Sequence, residues 1–322
     1  MSAYNYTICI FMDLVNELLK QLEGAYAPST LRGYRNDYGQ FASFCKERGE
    51  SPLRATPATV EEFLEFRAKT VKFSTLEHGA TSISTLHRLS GLDDPTKSPL
   101  VQICLRKLRR KLGRAQAQAL RITAKLRDAM IASCDAGPVG RRDAALIHLA
   151  YDSMSRASEM LALTWNDFAI GADGHGSVIV RRSKTDQEGR GRRAMLTPTC
   201  TRRVISWRKA LWRAERRFGV TEDLFEKSLM LRNISRHGHI GESLSAMSLN
   251  RILKDRAWRA GQSKSQIDRI SGHSARVGSA QDLVKCGATL PQIMLAGGWK
   301  SAGTVARYIE HTELTEILNL RI

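Results

Sequence analysis

Residues 272–309 read GHSARVGSAQDLVKCGATLPQIMLAGGWKSAGTVARYI. His273 and Arg276 stand three apart after the ISG stretch, so a helix opening there puts them on one face. Trp299 follows, and Tyr308 comes nine residues after it, beside Arg307. Each of these residues has an ordinary structural use. A lone helical tyrosine is commonly half-buried packing with its hydroxyl at the rim, and tyrosine is among the rarer covalent nucleophiles. A histidine can cap a helix, an arginine can sit on its surface, and a tryptophan can fill a core. The block gains meaning from what lies upstream.

Two upstream segments carry matching chemistry. Arg156 and Glu159 form an R-x-x-E pair, again on one helical face, where a local ion pair alone contributes only tenths of a kcal/mol. The stretch GSVIVRRSKTDQEGRGRRAMLT (176–197) predicts two strands joined by a polar, glycine-containing turn that bears Lys184. Helices are expected around RRDAALIHLAYDSM and in several segments leading to the closing stretch.

Composition narrows the partners. The 322-residue chain carries 50 Lys and Arg against 32 acidic residues, a formal net charge of +18, which points to a polyanion such as nucleic acid. Hydrophobic residues at 42% and charged residues at 25% are ordinary for a globular protein, and the length suggests two domains. The apolar run YTICIFMDLV is broken by Asp13 and is too short to span a bilayer, so no membrane partner is expected. It also lacks the basic start and cleavage site of a secretory signal. The six cysteines (Cys9, Cys45, Cys104, Cys134, Cys200 and Cys286) show no metal-ligand spacing and suggest reduced thiols. No Walker A or G-x-G-x-x-G motif is present, and neither a cofactor nor a metal is expected.

The first third reads as helices. STLRGYRNDYGQFASFCKERG places Leu31, Tyr34, Tyr38, Phe41 and Cys45 on one stripe ending at Gly49. TPATVEEFLEFRAK opens on Thr56 as cap with Pro57 at the first helical position. STLEHGATSISTLHRLSG has Ser74 and Glu77 in capping-box spacing and stops at Gly91. SPLVQICLRKLRRKLG points Val101, Cys104, Leu105, Leu108 and Leu112 inward. Its other face carries Arg106, Lys107, Arg109, Arg110 and Lys111 without one acid, a pattern suited to phosphate contact. The expected organisation is an N-terminal extension (1–26), a helical DNA-binding domain (27–113), a linker (114–121) and a second domain (122–322). The fold class is mainly α with a small β-hairpin in the second domain.

Taken in order, R-x-x-E, a hairpin lysine, H-x-x-R, Trp and Tyr resemble the tyrosine site-specific recombinases of the phage-integrase family. HSARVG and AGGW are especially similar to the Cre-like branch, and TLHRLSGL to the family's core-binding domain. The resemblance runs from about Ala27 onward. Two details depart from the commoner pattern. MSR replaces the usual leucine lead-in, so Ser155 stands where a packing residue is expected, and Trp299 stands where many members have histidine. With few residues before Ala27, a simple recombinase is expected rather than an arm-dependent integrase.

The resemblance implies a catalytic set of Arg156, Glu159, Lys184, His273, Arg276, Trp299 and Tyr308. Tyr308 would form a 3′-phosphotyrosyl link and free a 5′-hydroxyl, with Arg156 and Arg276 on the non-bridging oxygens in place of metal ions. Lys184 would be the general acid, His273 the proton acceptor, and Glu159 an orienting carboxylate. The implied partner is double-stranded DNA with inverted-repeat target sites, bound by a homotetramer that exchanges strands through a Holliday junction. Free protein would be monomeric or weakly associated. The tail, with Leu314, Ile317, Leu318 and Leu320, would dock on a neighbouring subunit. The expected setting is cytoplasmic and nucleoid-associated, in a prokaryotic, phage or plasmid context. Arg32, Arg35 and His87 are candidates for base contacts. A type IB topoisomerase-like relaxase and a non-catalytic basic DNA-binding protein are the alternatives.

Overall fold

A computed structural model describes residues 15–113, 119–181 and 191–309. Two compact units divide the chain, Met1–Ala117 and Gln118–Ile322.

Among its described residues the first unit is helical: α1 (15–20), α2 (Pro28–Glu47), α3 (Pro57–Ala68), α4 (Phe73–Leu89) and α5 (Pro99–Leu112). In α2 the expected stripe is buried and Phe44 joins it. Its aromatic side chains meet α3 edge-on, with Phe63 at 5.1 Å from Phe41 and 5.3 Å from Phe44 between ring centroids. The Thr56 hydroxyl caps α3, accepting from the Thr59 amide.

Two expectations for this unit need correction. α4 has no Ser74–Glu77 capping box, because it opens on Phe73, two per cent exposed, after an N-cap Lys72 whose side chain makes no cap. Burial of that ring sets the helix start, and Glu77 instead pairs with Arg109 at 3.0 Å. In α5, Val101, Cys104 and Leu108 are buried and Leu105 packs against them, but Leu112 is exposed in the final turn.

The second unit runs α6 (Ala124–Ala132), α7 (Pro138–Asp152), α8 (Ala157–Leu161), β1 (Phe168–Ile170), β2 (Gly176–Val180), β3 (Arg192–Leu196) and α9 (Pro198–Arg216). It continues with α10 (Glu222–Lys227), α11 (Ala246–Arg259), α12 (Lys264–Asp268), α13 (Ser274–Lys285), α14 (Leu290–Gly297) and α15 (302–309). The sheet is antiparallel in the order β1-β2-β3, with Val178 opposite both Phe168 and Ala194. The hairpin expected from the sequence is therefore β2–β3. β1 was not foreseen, being three residues long with a half-exposed to exposed pattern.

α7 is buried along Leu146, Ile147, Leu149 and Ala150, and α9 contributes Val204, Trp207 and Leu211 to the same core. A second, smaller core gathers Met154, Ala280, Ile293, Trp299, Val305 and Ile309. α13 belongs to both, through Ala275 in the large core and Ala280 in the small one. Its start is pinned by backbone bonds from Leu120 to Arg269 (2.9 Å) and from Ile122 to Ser274 (3.0 Å).

A buried ion network ties α7 to α11. Asp143 accepts from Arg142 Nε at 2.7 Å and from Arg256 Nε at 2.8 Å. All three are nearly inaccessible to solvent. Removing the carboxylate would strand two buried guanidinium groups, which costs more than the network contributes when whole. Asp143→Ala is expected to destabilise the second unit by about 3–5 kcal/mol, read as a lowered urea midpoint by circular dichroism; an unchanged midpoint would contradict the role assigned to the network.

Candidate active site

The site is assembled around the turn that ends α7. Met154 has φ of 48°, the one left-handed non-glycine residue among those described. Its carbonyl accepts a hydrogen bond from Arg276 Nη1. Ser155 is buried, and Arg156 then serves as the N-cap of α8. Glu159, at the third position of that helix, accepts from the Arg156 amide at 3.0 Å and pairs with Arg156 Nη1 at 2.6 Å. Both carboxylate oxygens are thus turned to Arg156, while the arginine remains partly exposed.

Arg276 is only one per cent exposed, yet charged. Its guanidinium lies 4.0 Å over the Trp299 ring, a cation–π contact. Nε and Nη2 are buried with no partner among the described residues. Burial, followed by the positive charge of Arg156, pushes the Arg276 pKa down to about 10, so the group stays charged at neutral pH. Arg192, from the start of β3, adds another guanidinium, 4.0 Å from Glu159. Two arginines pair with one carboxylate here, a third lies in its field, and two buried donors of that third stand open among the described residues. That imbalance is the signature of an anion site, and a phosphate has the geometry to use it.

His273 occupies the N-cap of α13, but its side chain does not cap the helix. Instead Nε2 lies 2.6 Å from the Tyr308 hydroxyl. Burial lowers the His273 pKa, and Arg276 and Arg156 lower it further. The imidazole is therefore neutral near pH 7, with a ring nitrogen able to accept the phenolic proton. Tyr308 sits on α15, whose Val305 and Ile309 are buried in the small core. Gln281 Nε2 donates to the Tyr308 carbonyl at 2.7 Å and fixes the backbone of the tyrosine.

Two glycines let Trp299 reach its place. A Cβ on Gly297 would lie 2.0 Å from the indole, and Gly298 holds φ of 65° where a Cβ would meet the Arg192 stem at 2.5 Å. The AGGW wording is thus a packing requirement.

Arg156, Glu159, His273, Arg276, Trp299 and Tyr308 come together in this one cluster. Lys184 lies in 182–190, outside the described residues. In the first unit Arg32, Lys107 and Arg110 are exposed. Arg35 donates to Asn16 at 2.9 Å, Arg106 to the Gln102 carbonyl at 3.3 Å, and Arg109 pairs with Glu77. His87 is corrected: it is one per cent exposed and bonded through Nδ1 to the Ile83 carbonyl, so it offers nothing to a base edge. The tail leucines also fall outside the described residues.

Arg192, Gln281 and the Ser155 hydroxyl were not singled out in the sequence. Arg192 had a signal, since the alternation Arg192, Ala194, Leu196 puts it on the inward face of β3. Gln281 had none.

The second unit thus joins a mainly helical fold and a small antiparallel sheet to converging arginines and a tyrosine hydrogen-bonded to histidine. Residues 121–314 match the phage integrase family, and the chain belongs to that family. Its relatives include the recombinase cre of Escherichia phage P1, 26% identical over 85% of this chain and 81% of the relative. The integrase/recombinase xerD homolog of Selenomonas ruminantium is 28% identical over 90% and 84%. Among solved structures, the fold is similar to the XerH site-specific recombinase bound to palindromic difH substrate, with TM-score 0.63 and 17% identity over 97% of this chain and 95% of that one. A lambda integrase dimer bound to a core site gives TM-score 0.59 and 16% identity over 92% and 94%. The mainly helical fold with its small sheet, and the resemblance to tyrosine recombinases, are borne out.

Two outcomes follow from the geometry. Gly297→Ala must displace the indole and is expected to cost about 1–3 kcal/mol, seen as a lower thermal midpoint; an unchanged midpoint would show that the turn has room. His273 should titrate below its ordinary 6.5 when followed by NMR in the free protein. Because its folded pKa is depressed, the unfolded chain takes up a proton first, so this group's stabilising contribution is present above 6.5 and falls away as pH drops. A midpoint above 6.5 would contradict the buried, positively biased environment.

Proposed function

We propose that this protein is a site-specific recombinase that cuts and rejoins duplex DNA through a covalent link at Tyr308. The observation that carries the reading is the pairing of Tyr308 with His273 beside Arg276, whose buried Nε and Nη2 have no partner among the described residues.

In the proposed reaction the Tyr308 oxygen attacks a backbone phosphorus, its proton passing to His273 Nε2. A phosphorus–oxygen bond forms to tyrosine, the bond to the 5′-oxygen breaks, and the departing oxygen takes a proton, with Lys184 as the general acid. The product is a 3′-phosphotyrosyl link and a free 5′-hydroxyl. Attack by a DNA hydroxyl reverses these steps and returns the tyrosine, so the energy of the phosphodiester is conserved and no nucleotide cofactor is needed. Arg156 and Arg276 answer the charge that develops on the non-bridging oxygens, as permanently charged, planar donors. Removing one such preorganised donor typically costs about 3–4 kcal/mol of transition-state stabilisation. Glu159 orients Arg156, and Trp299 holds the Arg276 plane from one side.

Residues 27–113 are proposed as a DNA-binding domain, 114–121 as the linker and 122–322 as the catalytic domain. The cationic face of α5 is suited to phosphate contacts, which position a protein on duplex without reading its sequence. Strand exchange between two inverted-repeat sites, through a Holliday junction and a homotetramer, completes the reading. The XerH recombinase and the lambda integrase of similar fold are bound to DNA, which supports a DNA partner.

The test is a suicide DNA substrate in buffer containing EDTA. Wild-type protein is expected to form an SDS-resistant adduct on the 3′-phosphate, whereas Tyr308→Phe binds the same DNA and forms none. An adduct that persists in Tyr308→Phe, or a strict requirement for Mg²⁺, would overturn the proposal.

A further inference from the structure

Arg192 spans segments that are far apart in sequence. Nη2 donates to the Ser153 carbonyl at 2.8 Å and to the Ser155 hydroxyl at 3.1 Å. Nη1 donates to the Ala296 carbonyl at 3.2 Å. Its stem fills the space beside Gly298 that a Cβ would need. One side chain on β3 thus grips both the turn that presents Arg156 and the turn that presents Trp299.

Its donors differ in kind from those of Arg276. The Arg192 fork is occupied by two backbone carbonyls and a hydroxyl, while Arg276 keeps Nε and Nη2 without a partner among the described residues. Burial lowers the Arg192 pKa, and the neighbouring Glu159 and Arg156 act on it with opposite signs. A guanidinium placed there without function would be a costly choice on the inward face of a strand. Ser155 gives the arrangement its local logic: a leucine at that position would pack, but it could not accept from Arg192.

We infer that Arg192 is a positioning residue, which locks the Trp299 turn to the Arg156 turn and so fixes Arg276, clamped between the Met154 carbonyl and the Trp299 ring. The inference rests on the recombinase reading of this site. It draws on the forked geometry of arginine, whose two terminal nitrogens reach acceptors on different turns, where lysine has a single nitrogen on a flexible stem.

The experiment measures the rate of adduct formation on the suicide substrate at saturating DNA, with DNA affinity and thermal midpoint in parallel. Arg192→Ala is expected to slow the rate about 10–100-fold, as removal of an orienting partner does, with DNA affinity unchanged. Arg192→Lys should fail to restore it, which separates geometry from charge. Ser155→Ala should lose roughly 2–10-fold, the scale of one hydrogen bond, and add little when combined with Arg192→Ala. Wild-type rates in Arg192→Ala or Arg192→Lys would overturn the inference, as would a slowing explained wholly by weaker DNA binding. If Arg192→Ala does not fold, Ser155→Ala decides: a wild-type rate overturns the inference and a slower rate at equal affinity supports it. Absence of any adduct in the wild type would instead overturn the recombinase reading, and this inference with it.

Discussion

Arg276 is a charged group held out of water, and the site is built around what that costs. A buried guanidinium is tolerated only where partners replace its hydration. The fold supplies some of them: the Met154 carbonyl takes one donor and the Trp299 ring covers the plane. It withholds the rest. The left-handed backbone at Met154 belongs to the same bargain, since such strain amounts to about 1–3 kcal/mol and persists only where the surroundings over-determine it. The carbonyl that receives Arg276 is the one on that strained residue.

The two cores divide the labour of holding the site. Arg156 and Glu159 follow directly from α7, which is embedded in the large core, and α13 carries His273 and Arg276 out of that core into the small one. Tyr308 is different. Its helix rests on the small core through Val305 and Ile309, with Gln281 holding the backbone and His273 the hydroxyl. Tyr308 is therefore seated by α13 and the small core, whereas Arg156 is seated by the end of α7 in the large one.

Much of this was legible in the sequence, for physical reasons that can be named. The stripe on α2 and the Thr56-Pro57 start of α3 are local signals, written in 3.6-residue spacing and cap chemistry. The β2–β3 hairpin showed in two strand-like runs joined by a polar, glycine-containing turn. The residue set from Arg156 to Tyr308 was legible only as an ordered pattern, since each residue alone has a commoner structural use. What failed had tertiary causes. Ser74 and Glu77 have capping-box spacing, but Phe73 burial and Arg109 decide how that helix begins. His87 lies on the inner face of α4, so its polarity misled. Gln281 is one polar residue on a helix, and nothing near it in sequence says that the Tyr308 carbonyl is its partner.

The arginine excess couples the anion site to the proton acceptor. Burial depresses the pKa of His273 and of Arg276 most; the guanidinium groups of Arg156 and Arg276 lower that of His273 further, and Arg156 also lowers that of Arg276. An anion placed against the open donors would offset this positive field at both residues. Arg276 would then hold its proton more firmly, and His273 would become a better base. His273 would thus accept the phenolic proton most readily with a phosphate in place, the moment at which Tyr308 has something to attack. In the empty site burial and the same field keep the imidazole neutral. In the proposed reaction one electrostatic imbalance would thus both draw a phosphate and, once it is bound, raise the basicity of His273.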